Sequence, residues 1–364
     1  MTVNRNWAAV LPAFALVLAA CGGGASPTPT GATSQPPDSS PSGAAPSEAP
    51  VAEKCDGQDF SFQLSFIPNV QHAGFIVADE QGFYEDEGLN VELIPAGTNV
   101  DPVSTVGDGT ADAGQVDYGQ LLRARAAGVP IVSIAQTYKE TFLNWFALKE
   151  SGIATMADWE GKRVGRTQVG DDPEIIAMLA SAGLTLDDIE TIQQDFAIDS
   201  FMAGDVDLAT GVVFFHPAIF NGIGEFAWPD DFNVFVPEEH GAPIASQTVA
   251  TTEEMIETNP EALRCFLRGS IRGWQAVFAD DQAAVTDVMK LVPEGAIPED
   301  HQRAAILDVL PIVGDGPDDD LLKIDRDQYV ETIGVLEDFE FIDPGINVDD
   351  TFDTSIYETM GPLD

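Results

Sequence analysis

Between Phe60 and Ile223 the chain switches repeatedly between short apolar stretches of strand period and amphipathic stretches of helical period, and after Glu253 it carries helical patterns alone. That order constrains the fold more than any other feature. Phe60–Ile67 alternates apolar and polar residues before running apolar, as a half-buried strand does. Ala73–Glu87 has helical spacing through Phe75, Ile76, Val77, Phe83 and Tyr84, with Gly88 as its stop. Leu89–Ile94 reads as a strand, Pro102–Asp108 as a short helix, Ala111–Val116 as a strand and Tyr118–Ala127 as a helix closed by Gly128. Strands over Val129–Gln136 and Asn144–Leu148 follow, and a helix starts at Met156–Trp159. The alternation continues through Lys162–Thr167, Glu174–Ser181, Ile189–Gln193, Phe201–Gly204, Leu208–Phe215 and Pro217–Ile223. Beyond it, helices are expected over 253–280, 282–291, 299–309 and 326–337. Such alternation predicts an α/β fold with a parallel-rich sheet covered on both faces. The terminal helices are expected to pack back on the first part of the fold.

Charge restricts the partners. The 364 residues carry 16 Lys and Arg against 61 Asp and Glu, a net charge of −45, yet 44% of them are hydrophobic. That fraction supports a packed core and excludes a disordered acidic tail. A phosphate backbone would be repelled over almost the whole surface, which excludes nucleic acid and argues equally against a basic membrane-surface helix. The acidic excess reads as adaptation to a salty medium rather than as mechanism. It also disfavours a polyanionic ligand. Four histidines (72, 216, 240 and 301) have no metal-ligand spacing, and the acidic run Gly314–Asp320 lacks the regular spacing of a calcium loop. The common hydrolase and nucleotide motifs do not occur. The expectation is a protein without catalytic residues, cofactor or metal.

The N-terminus points to a compartment. Arg5 precedes an apolar run, Trp7–Ala20, interrupted only by Pro12. The run is shorter than the roughly 20 residues a permanent span needs, so residues 1–20 read as a secretory signal peptide. Leu18-Ala19-Ala20-Cys21 and the three glycines after it match a bacterial lipobox. On that reading Cys21 becomes the acylated (palmitate-bearing) N-terminus of a lipoprotein on the extracytoplasmic face of a membrane, where two acyl chains give stable anchoring. Gly22–Pro50 has no large apolar residue and reads as a flexible tether, so residues 21–56 form lipid anchor and linker. An anchored folded part of this length suits an extracytoplasmic binding protein or a surface hydrolase. Cys55 and Cys265 remain. In an oxidising compartment they can pair, while the place of Cys265 between Leu263 and Phe266 also suits a buried free thiol.

Several motifs together carry a resemblance: Phe66-Ile-Pro-Asn-Val-Gln-His-Ala-Gly-Phe75, Ala78-Asp-Glu-Gln-Gly-Phe-Tyr-Glu-Asp-Glu-Gly-Leu-Asn-Val91, Gly109-Thr-Ala-Asp-Ala-Gly114, and Gly152-Ile followed by Asp158-Trp-Glu-Gly-Lys-Arg-Val-Gly165. The chain resembles the NMT1/THI5-like solute-binding proteins from about Phe60 to Pro260. This implies a two-lobe, periplasmic-binding-protein-like (type II) α/β fold with a ligand cleft between the lobes. Lobe 1 is placed at 57–145 plus 246–364 and lobe 2 at 146–245. It also implies a monomer that delivers a small molecule to ABC permease subunits. A thiamine pyrimidine precursor comes first, riboflavin second, and a sulfonate or nitrate third. A fourth alternative is the family's pyrimidine synthases, whose cysteine-rich iron motif has no counterpart here.

In open α/β sheets the ligand lies beyond the carboxyl ends of the strands, and this rule selects the candidate residues. Asn69 and His72 follow the first strand, and Asn69 also suits a helix N-cap. Gln115 and Tyr118 end the third strand, Tyr118 as a ring to stack on a ligand or as a surface residue. Gln136 and Tyr138 end the next, and Asn144 follows Thr141 and Phe142 at the crossing between lobes, with Trp145 assigned to hinge packing. Thr167 opens a loop before a helix. Phe214 and His216 end a strand of the second lobe, and strand alternation allows only one of Phe214 and Phe215 to face the ligand. Trp228 is a looser candidate. Aromatic rings with amides suit a flat heteroaromatic ligand. No Lys or Arg is expected at the cleft, since Arg123 and Arg125 fall a turn or more into a helix and Lys139 on a loop.

Overall fold

The computed structural model describes residues 53–363 apart from 98–99, 167–172, 195–198, 224–225 and 318–319. The expected signal peptide, Cys21, most of the linker, and Thr167 lie outside the described residues. Among the described residues there are ten strands: β1 Gln58–Gln63, β2 Leu89–Ile94, β3 Ala113–Asp117, β4 Ile131–Gln136, β5 Leu143–Leu148, β6 Arg163–Arg166, β7 Glu190–Gln193, β8 Ala209–Val212, β9 Phe232–Phe235 and β10 Gln247–Thr252.

The first sheet has the order β2-β1-β3-β10-β4, and the second β8-β5-β9, with β6 and β7 as a separate parallel pair. A parallel bridge from Val164 to Leu208 joins that pair to the start of β8. The second group therefore runs β7-β6-β8-β5-β9 and repeats the order of the first, with β5 in the place that β10 takes. Both strands are antiparallel to their neighbours, which modifies the expectation of a parallel-rich sheet. The reason is the chain path. β5 arrives directly from the first sheet and β10 directly from the second, so neither is preceded by the crossover helix that a parallel neighbour requires.

Two expected helices are split. Ala73–Glu80 and Phe83–Asp86 are separate because Gly82 adopts φ 75°, a left-handed conformation that ends the first helix. Residues 253–280 divide into Glu253–Thr258 and Pro260–Ala279. The proline ring disfavours helical geometry at the residue before it, and Asn259 leaves the helix at φ −142°. Glu299–Val313 runs past its expected end, through Pro311. The strand expected over Leu208–Phe215 stops at Val212, and His216 opens the helix His216–Ile223.

The C-terminal helices pack on the first sheet. Phe60 and Phe62 of β1 share a buried cluster with Phe75, Tyr84, Phe266 and Trp274. Helices Ala73–Glu80 and Pro260–Ala279 meet through glycines: a Cβ on Gly273 would lie 2.0 Å from the Gly74 carbonyl oxygen, and one on Gly74 2.3 Å from the Trp274 ring. Cys55 and Cys265 form a disulfide that ties the entry of the fold to the longer helix. Trp145 and Trp159 belong to a separate buried cluster around β5 and β6. Trp228 packs with Phe146, Phe220 and Phe232 in another.

Candidate ligand cleft

A cavity of about 500 Å³ lies between the two groups of strands. One side comes from Ser65, Phe66 and Gln71 after β1, from Val116 and Asp117 at the end of β3, and from Gln247 at the start of β10. The other comes from Phe142 and Leu143 entering β5, Pro173 and Glu174 opening the helix Pro173–Ser181, Val212 at the end of β8 and Phe215 after it. Each group thus presents the ends of its strands to a shared space, as the topology rule requires.

The nine described candidate residues lie next to this lining rather than in it. Asn69 caps the turn after β1: its Oδ1 accepts from the Gln71 N–H at 2.8 Å and its amide donates to the Ile67 carbonyl. His72 and Gln115 form a layer behind the cavity. The Ser65 hydroxyl lies 3.1 Å from His72 Nε2 and donates to Gln115 Oε1, and the Gln71 amide donates to Ser65 Oγ at 3.0 Å. Ser65 and Gln71, which do line the cavity, are held by this network. Burial pushes the His72 pKa down to about 3, so the ring is neutral at physiological pH. His72 Nδ1 and Gln115 Nε2 are buried without hydrogen-bond partners among the described residues.

Other candidates are committed elsewhere. Tyr118 does not stack on a ligand space. It is buried, its ring stacks on Tyr329 at 3.7 Å between centroids, and its hydroxyl bonds Thr351. Gln136 is held by Gln328 and by the Asp325 N–H. Tyr138 donates its hydroxyl to the Gln71 carbonyl at 2.7 Å and so braces the cavity from behind. Asn144 has a buried Oδ1 without a hydrogen-bond partner among the described residues, while its neighbour Leu143 lines the cavity. Phe214 packs among buried residues and Phe215 takes the cavity position. His216 Nδ1 accepts from the Val212 N–H at 2.7 Å, with its ring beside Phe146.

Gln247 and Arg123 are among the lining residues that went unforeseen. Gln247 is 6% exposed, and its Oε1 is buried without a hydrogen-bond partner among the described residues. Its carbonyl accepts from the N–H groups of Thr137 and Tyr138, so it is fixed where the first group of strands hands over to the second. Arg123 also lines the cavity, contrary to the expectation of no cation there. Its helix, Tyr118–Ala126, begins at the cleft, and one turn of rise is within reach of a guanidinium side chain.

The segments joining the two groups, 137–142 and 236–246, are themselves tied together. Glu238 in the second accepts from the Thr141 N–H in the first at 2.8 Å, and its Oε2 is buried without a hydrogen-bond partner among the described residues. Burial raises the Glu238 pKa against the opposing bond from Thr141, and the nearby Glu140 and Glu239 raise it further. A carboxyl raised on folding adds stability below its unfolded pKa and loses it as pH rises through the folded value. Glu238→Gln should therefore melt higher than the parent at neutral pH, with the gap closing as pH falls below the ordinary glutamate range. Thermal unfolding across that range checks this, and a gap independent of pH would sink it.

Comparison with known proteins supports the same architecture. The NMT1/THI5 like family profile matches residues 69–284. The formylaminopyrimidine-binding protein of Halalkalibacterium halodurans is 22% identical over 298 residues, covering 79% of this chain and 88% of that protein. The riboflavin-binding protein RibY of Chloroflexus aurantiacus is 26% identical over 308 residues, 81% of each chain. Among solved structures, the periplasmic aliphatic sulphonate binding protein SsuA from Escherichia coli superposes with a TM-score of 0.64 at 14% identity, covering 81% of this chain and 91% of its own. The fold is accordingly the two-lobe α/β fold of periplasmic binding proteins, and the chain belongs to the NMT1/THI5-like family.

Proposed function

We propose that this chain is the substrate-binding component of an ABC importer, capturing a flat heteroaromatic molecule and presenting it to the permease by closure of the cleft. It binds rather than transforms that molecule. The lobes are 57–145 with 246–364, and 146–245; residues 1–20 and Cys21 supply export and a lipid anchor on the extracytoplasmic face. The observation that carries the reading is the cavity itself, lined from both groups of strands by Phe66, Phe142 and Phe215 together with the amides of Gln71 and Gln247. Rings give stacking area and amides read ring nitrogens and carbonyls. A ligand touching both sides favours the closed state by its differential affinity, which is what a permease can sense.

A thiamine pyrimidine precursor of the formylaminopyrimidine type is the first candidate. The volume of about 500 Å³ supports a second, riboflavin, because a tricyclic ring fills more of such a space than one pyrimidine does. Asp117 and Glu174 on the lining disfavour a bare sulfonate or nitrate. Calorimetric titration of the full chain with formylaminopyrimidine, riboflavin, taurine and nitrate tests this. Saturable binding of one heteroaromatic, weakened by Gln247→Ala, is expected. Binding of the small anions alone would overturn the ligand class.

A further inference from the structure

We propose that Gln120 and Arg123 form a specificity edge for a two-part ligand: a flat ring in the cavity and a neutral arm, bearing acceptor oxygens, that leaves along these two side chains. The inference rests on the binding reading above and adds the chemical class of the ligand. Gln120 and Arg123 stand three apart on the helix Tyr118–Ala126 and so share one face. Both line the main cavity, and both also line a second, open groove of about 650 Å³ flanked by Val103, Ser104 and Gly107 of the helix Pro102–Gly107. Asp101 is the third residue common to the two spaces, but its carboxylate is occupied in capping that helix. It accepts from the Val103 N–H at 3.1 Å and from the Ser104 hydroxyl at 2.6 Å.

The Gln120 amide and the Arg123 guanidinium are not occupied in this way. Among the described residues, neither makes a side-chain hydrogen bond or an ion pair. The contrast with Arg125 is direct, since that side chain bonds the Ile131 carbonyl and the Glu253 carboxylate. In a chain with 61 acidic residues against 16 basic ones, a guanidinium at the junction of two cavities that feels the Asp117 charge but is hydrogen-bonded to no carboxylate among the described residues is a donor fork available to a guest. The guest group is neutral rather than anionic because Asp101, Asp117 and Glu174 line the same cavity. Hydroxyl and carbonyl oxygens meet both conditions.

The test compares pairs that differ only in the arm: riboflavin with lumiflavin, which lacks the hydroxylated chain, and formylaminopyrimidine with its 5-methyl counterpart. Dissociation constants are measured by calorimetry for the full chain, Arg123→Ala and Gln120→Ala. For the ring the parent accepts, the arm-bearing member should bind about 10–100-fold more tightly, as hydrogen bonds to a charged donor imply. Arg123→Ala should remove most of that preference, weakening the arm-bearing member far more than the armless one, and an unchanged circular-dichroism spectrum shows that the variant is folded. Gln120→Ala should remove a smaller part. Equal binding of both members by the parent, or equal weakening of both by Arg123→Ala, would overturn the assignment while leaving the binding reading intact. A parent chain that binds neither ring would overturn both.

Discussion

Arg268→Ala is expected to lower the unfolding free energy by about 3–5 kcal/mol, the cost of removing one partner of a buried ion pair. The Arg268 and Glu87 side chains are 1% and 2% exposed and meet at 2.6 Å between Nε and Oε2. The guanidinium also donates to the Met360 carbonyl, to the Glu53 carbonyl at 2.6 Å, and to Cys265 Sγ at 3.2 Å. One side chain thus joins the long helix Pro260–Ala279 to the chain entry, to the turn before β2 and to the C-terminal segment. Without it, the Glu87 carboxylate keeps, among the described residues, only Arg272, whose Nη1 lies 3.7 Å away. Because the pair is buried, the loss should change little with added salt. Adding Glu87→Gln to Arg268→Ala should recover part of the loss by removing the stranded charge. Urea denaturation of the parent, the single variant and the double variant measures this. A single variant within about 1 kcal/mol of the parent, the range of an exposed pair, would refute the account.

Breaking the Cys55–Cys265 bond should cost about 2–4 kcal/mol, the usual range for a native disulfide. The two cysteines are 210 residues apart in sequence, so chain-entropy arguments place the upper bound near 5 kcal/mol. Both are buried in the cluster beneath β1. The entry segment otherwise holds on through few bonds, among them the Cys55 N–H to the Glu87 carbonyl at 2.8 Å. It passes so close to Gly88 that a Cβ there would strike the Cys55 carbonyl oxygen at 1.5 Å. Cys55→Ser with Cys265→Ser should lower the melting temperature and release the segment before β1. Since Arg268 bonds Cys265, its loss and that of the disulfide should combine non-additively. A melt unchanged by the double substitution would contradict the structural role given to this bond.

Much of the architecture was legible because alternation of period survives in the sequence. The segments that became β1, β2 and β4, and most of the helices, fall where hydrophobic spacing put them. The split at Gly82 was hidden because Phe83 and Tyr84 continue the apolar face of the preceding helix in register, and only the glycine carried the contrary signal. β10 was missed as a strand. Its signal was Gln247-Thr-Val-Ala-Thr-Thr252, rich in β-branched residues, lying between an irregular stretch and an evident helix. With the strand went Gln247, its first residue.

At the cleft, the sequence led to loops that border the cavity but to residues beside its lining. Leu143 rather than Asn144, and Phe215 rather than Phe214, line the cavity. At Asn144 a one-residue offset in an extended chain reverses the face a side chain takes, and composition does not say which face is the inner one; Phe214 and Phe215 lie in the turn after β8, where strand alternation no longer holds. Tyr118 was drawn into the core by Tyr329, a partner 211 positions away that no local pattern indicates. Arg123 lies a turn into a helix, which hides it from a reading by strand ends, but that helix starts at the cleft and its side chain is long enough to return.

The central claim is that this cleft closes on a heteroaromatic guest, and small-angle scattering during the ligand titration tests it most directly. The full chain is measured alone and saturated with formylaminopyrimidine or riboflavin, whichever calorimetry shows to bind. The account predicts a smaller radius of gyration with the ligand, saturating at one equivalent in step with the heat. An unchanged radius at full saturation, or no saturable heat with either compound, would contradict it.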